Sequence, residues 1–158
     1  MARIRLVGFT CVFVVCCGPQ SFADTLSEPI ATAVRLLGWS GDVPRIELVA
    51  IRPGDASQHA EAWVRFAPDG VAAPIIYVRT DTHVYRDAAR KNHQALVRLA
   101  GILAHERWHL RYGRDEVGAY EAQLLVMEYL RAGSLSVLQI RQALSRAQAR
   151  KKSVAKAR

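Results

Sequence analysis

A stripe of leucines runs through residues 96–110 and is broken at one place. Leu96, Leu99, Leu103 and Leu110 recur at the spacing that puts side chains on one face of an α-helix, and the member missing from the series is Glu106. A helix built only to pack would carry another apolar residue there. A carboxylate on an inward stripe is costly to bury without a partner, so this helix has work beyond packing. Flanking the glutamate stand His105 and His109. Four residues apart, their imidazoles share one helix face one turn apart. That spacing can deliver two nitrogens to one tetrahedral zinc ion, with Glu106 roughly 100° around the helix from the first.

The start of the chain has the three-part layout of a secretory signal peptide. Arg3 and Arg5 precede an uncharged apolar run, Leu6–Cys17, and Ser21 and Ala23 supply the small residues of a cleavage site. The apolar run is too short to span a bilayer well. We therefore expect an exported protein, periplasmic or secreted, organised as a signal peptide at 1–23, a folded domain at 24–140 and a basic helix end or tail at 141–158. All three cysteines, Cys11, Cys16 and Cys17, fall in the leader. The domain that remains has no disulfide framework and no thiolate to act as nucleophile or zinc ligand, and is of ordinary size for a single core.

The net charge of +8 is unevenly spread. Arg141, Arg146, Arg150, Lys151, Lys152, Lys156 and Arg158 follow one another with no acidic residue among them, which leaves the body near neutral. Such a tail suits contact with an anionic surface. It lacks the interleaved aromatic residues that stack bases, so no specific nucleic-acid recognition is expected.

Glu28–Leu37 reads as a short helix ended by Gly38. Three strand candidates follow, at 45–51, 62–66 and 75–79, separated by Pro53-Gly54-Asp55 and Pro68-Asp69-Gly70, consistent with hairpins. Gly113 and Gly133 then divide the rest into helices near 93–112, 115–131 and 136–150, with Ser136 and Gln139 as a capping box for the last. Strands first and helices after predict an α+β fold, a small antiparallel sheet followed by a helical half.

His105-Glu106-Arg107-Trp108-His109 resembles the HExxH signature of zincin metallopeptidases over about 25 residues. The resemblance implies that both histidines bind zinc, that Glu106 is general base and acid, and that a third ligand comes from further along the chain. It also implies a small sheet ahead of the motif, whose edge strand aligns the substrate backbone. No histidine follows His109, which leaves Asp115, Glu116, Glu121 and Glu128. On a helical wheel Glu116 falls with Ala119, Tyr120, Gln123, Met127 and Leu130 on the apolar face, while Glu121 and Glu128 share the other side. Glu116 is the favoured ligand. Glu116-Val117-Gly118-Ala119 resembles the glutamate helix of gluzincins, although the span from His109 is shorter than gluzincins usually have and closer to the compact metzincin layout.

Tyr120, and also Tyr112, are candidates to hydrogen-bond a tetrahedral oxyanion, as tyrosines do in some zincins. Asp81 is a candidate to orient a zinc histidine. Trp108 is expected to pack, and His59, His83 and His93 to lie at the surface. The function implied is hydrolysis of peptide bonds by an exported zinc metallopeptidase with one zinc per chain. The competing expectations are a zinc amidase acting on cell-wall peptide and a non-catalytic, zinc-containing module held on the envelope by its basic tail. Glu106 argues against the module, because a purely structural metal site needs no base.

Overall fold

The computed structural model describes residues 26–50 and 60–156. The chain is an α+β domain, and the signal peptide expected at 1–23 lies outside the described residues. A first helix, α1 (Glu28–Leu36), is followed by strands β1 (Arg45–Val49), β2 (Ala62–Phe66) and β3 (Ala72–Arg79). Helices α2 (His83–Ala89), α3 (His93–Tyr112), α4 (Glu116–Tyr129) and α5 (Ser134–Lys156) complete the order. No helix among the described residues is long and apolar enough to cross a membrane.

The sheet is mixed, not antiparallel as expected. Its order is β1-β3-β2. β2 and β3 form a hairpin with Trp63 opposite Tyr77 and Val64 opposite Ile76, whereas β1 runs parallel to β3 along its other edge. The physical reason lies in the connections. Pro68-Asp69-Gly70 closes a tight turn, with the Gly70 amide donating to the Ala67 carbonyl at 2.9 Å. The longer link from β1 to β2 leaves β1 free to take the far side of β3. Alternation of apolar residues fixes a strand's faces and says nothing about which neighbour it takes.

α2 was not expected from sequence. Its seven residues bury only Val84 and Ala88, too few for a visible period, and its start is fixed locally by Thr82, whose side chain accepts from the Tyr85 amide. α5 starts earlier than predicted, so Ser136 stands inside the first turn and not at the cap. The Gly133 amide instead donates to Gln94 Oε1 at 2.7 Å, tying the start of α5 to α3.

α3 is the axis of the molecule. Leu96, Leu99 and Leu103 are buried against Ile30 and Val34 of α1, Val64 of β2, Ile76 and Val78 of β3, and Val84 of α2. Its other side crosses α4 closely, because two glycines remove side chains at the crossing. A Cβ on Gly101 would lie 2.8 Å from Met127 Cγ, and one on Gly118 would lie 2.4 Å from the Trp108 ring. Trp108 packs there, as expected, and against Tyr112.

Gly118→Ala therefore has two opposed effects. Helix propensity favours alanine by about 1 kcal/mol, while overpacking against a rigid indole costs about 1–3 kcal/mol. We expect net destabilisation, read as a lowered midpoint in urea. A variant as stable as the parent would mean that the α3–α4 crossing is looser than described.

Candidate metal centre

The centre is built by two helices and the glycine turn between them. His105 and His109 project from α3 and are buried. Their Nε2 atoms are 3.2 Å apart. After Gly113 the chain reverses into α4, whose first residue, Glu116, places Oε2 3.7 Å from His105 Nε2 and Oε1 3.6 Å from His109 Nε2. These three residues form the one group among the described residues whose donor atoms converge as a metal ion requires.

The donor set fits an ion. Zinc–nitrogen bonds of about 2.0–2.1 Å put the edges of a ligand tetrahedron at roughly 3.3 Å, and the three donors already stand near that spacing. The tautomers agree. His109 Nδ1 donates to the Gly113 carbonyl at 2.7 Å, which leaves its Nε2 lone pair facing the other two donors. Gly113 holds that carbonyl in a conformation, φ 72° and ψ −148°, that only glycine adopts readily.

Burial, followed by the neighbouring His109, pushes His105 down to about 4; Gln123 acts in the opposite sense. His105 is thus neutral at neutral pH, the form that ligates metals. Its Nδ1 is buried without a hydrogen-bond partner. Glu106 is only 7% exposed. Burial, then the charge of Glu116, pushes its carboxyl up to about 8, against the pull of the Val64 backbone. An ion among the three donors would supply the positive charge that both carboxylates lack.

All of this opens into a cleft of ≈ 580 Å³ lined by β2 from Ala62 to Val64, by Glu106 and the three donor residues, and by Tyr120, Gln123, Ile140 and Ala143. Tyr120 stands with its ring 4.6 Å from that of His105. Burial, then Glu116, raises its hydroxyl above the ordinary phenol range, so it remains a donor. Phe66 meets His109 edge-on at 6.1 Å.

The favoured third donor is present, for a different reason than its burial. Ala119, Gln123 and Met127 are buried as the wheel requires, but the Glu116 side chain is 58% exposed and stands at the mouth of the cleft. Convergence on the histidines marks it, not the cost of an inward charge. Its competitors are elsewhere: Asp115 pairs with Lys151 at 3.1 Å, Glu128 pairs with Arg141 at 2.7 Å, and Glu121 is exposed.

Two further expectations are corrected. Asp81 pairs with Arg79 and not with a histidine of the centre, because the turn after β3 faces its own strand end. Tyr112 is 60% exposed and stacks on Trp108, outside the cleft. His83 and His93 are exposed, as expected, and His59 lies outside the described residues. Gln123 was not singled out from sequence, although a polar residue between Ala119 and Met127 on the inward face was the available signal.

No family model, curated protein or solved structure matches this chain. The functional reading therefore rests on the residues themselves.

Proposed function

We propose that this protein is an exported zinc metallopeptidase. One observation supports it above the others. A buried carboxylate, Glu106, lines the same cleft as the three donor atoms and is not one of them. A site serving only to brace the fold gains nothing from such a group, whose burial is costly.

In this reading His105, His109 and Glu116 hold the ion. When bound, zinc polarises a carbonyl and lowers the pKa of a water in its open position. Glu106 takes the proton of the attacking water and returns it to the nitrogen of the leaving amine. In the metal-free chain burial holds this carboxyl up at about 8, and the charge of a bound ion would lower it toward the ionised form that accepts the proton. Tyr120 donates a hydrogen bond to the carbonyl oxygen as negative charge gathers there. β2, which pairs only with β3 among the described residues, borders the cleft and offers its other edge to an extended peptide backbone.

The test is metal-dependent cleavage. The purified chain should hydrolyse unstructured peptides, lose that activity to a chelator and regain it with added zinc. Cleavage that persists in chelator, after metal analysis shows the ion is gone, would rule the mechanism out. Export has its own check. Protein recovered outside the cytoplasm should begin at or near Asp24, and an intact Met1 in that fraction would contradict it.

A further inference from the structure

We propose that Arg146 and Arg150 form a carboxylate-binding subsite beside the metal centre, so that the preferred peptide substrate carries an acidic side chain or a free C-terminal carboxylate next to the bond cleaved. This deepens the peptidase reading and rests on it. The cleft that holds the three donor residues continues into a second one of ≈ 690 Å³, lined in part by Val117, Ala147 and Val154 and by the two arginines. The clefts share Glu116, Tyr120 and Ala143, so a ligand can run from one into the other. Arg146 and Arg150 are i and i+4 on α5 and therefore share a face. Both line the same cleft as Glu116 and Tyr120, which places them beside the centre.

The nearby acids are already committed. Asp115 is held by Lys151 and Glu128 by Arg141, and Glu116, which converges with the two histidines, would be held by the ion. α5 itself carries no acidic residue. Among the described residues neither Arg146 nor Arg150 has a carboxylate partner. A pair of guanidiniums is suited to carboxylate through paired N–H donors, and the apolar floor of the cleft accepts an aliphatic stem.

The experiment uses the zinc-loaded full chain and four matched peptides: one position Glu or Gln, each with a free or an amidated C-terminus. We expect kcat/KM to favour carboxylate-bearing peptides by at least about tenfold. The Glu/Gln and free/amide contrasts identify which carboxylate is read. Replacing both arginines (Arg146→Ala with Arg150→Ala) should abolish the preference at unchanged zinc content. Replacing Lys152 and Lys156, which lie outside the clefts on the same helix, should preserve it. Equal cleavage of all four peptides overturns the subsite and leaves the peptidase standing. Equal loss in both double variants also overturns it, assigning the effect to diffuse attraction of polyanions. If no peptide is cleaved, the peptidase reading fails by itself. The subsite is then judged by fluorescence anisotropy of the same labelled peptides with the Glu106→Gln chain, and acidic peptides bound no tighter than neutral ones overturn it.

Discussion

Glu106→Gln is expected to leave the metal content of the chain unchanged and to slow peptide hydrolysis by about 10²–10⁴-fold. The amide has nearly the shape of the carboxylate, and position 106 is outside the group of three donors, so the packing of α3 and the ion should both survive. What is lost is the acceptor that takes a proton from water and gives it to the leaving nitrogen. The same variant has a signature independent of turnover. In the metal-free chain Glu106 titrates at about 8, well above its ordinary 4.5, because burial resists its charge. The folded state keeps its proton after the unfolded chain has released it. The stability this contributes is full below the unfolded value and is lost as pH rises through the folded one. Below about pH 6.5 this loss is offset by His105, whose depressed value makes stability rise with pH. Metal-free parent should therefore lose unfolding temperature mainly over about pH 6.5–8, and Glu106→Gln should flatten that decline. A variant that cleaves peptides at the parental rate would remove Glu106 from the chemistry.

The part of this molecule that sequence made legible is the part whose residues lie close together along the chain. The leucine stripe, its gap at 106 and the two histidines are one helix read at one period, and α3 runs over the predicted residues with Leu96, Leu99, Leu103 and Glu106 all buried. Gly113 was legible as a turn, because only glycine suits the left-handed step that brings Glu116 back to the histidines. The rest depends on contacts between distant segments. The parallel partner of β1 is set by a crossover that no alternation records. α2 is held by a cap and two buried residues, below what periodicity detects. The place of Ile140, Ala143 and the two arginines beside the centre follows from how α5 returns across α4, which their spacing along α5 does not reveal. Glu116 shows both sides of this: its wheel position singled it out, while its exposure could be learned only from the cleft around it.

That His105, His109 and Glu116 together hold one metal ion is the claim on which everything else rests. Each histidine supplies a buried Nε2, 3.2 Å from the other, and removing either leaves two donors at an edge open to solvent through Glu116. His105→Ala and His109→Ala are thus expected to lose metal binding outright, a larger effect than the roughly 10–100-fold cost of disturbing the shell around a metal's ligands. Glu116→Ala should weaken binding by at least about tenfold, and Glu121→Ala, exposed on the far side of α4, should not change it. The measurement is elemental analysis of the purified chain and these four variants after dialysis against trace metal. The account predicts about one zinc per parent chain, none in either histidine variant, a reduced content in Glu116→Ala and the parental content in Glu121→Ala. A parent chain that binds no metal, or full occupancy retained in both histidine variants, would contradict it.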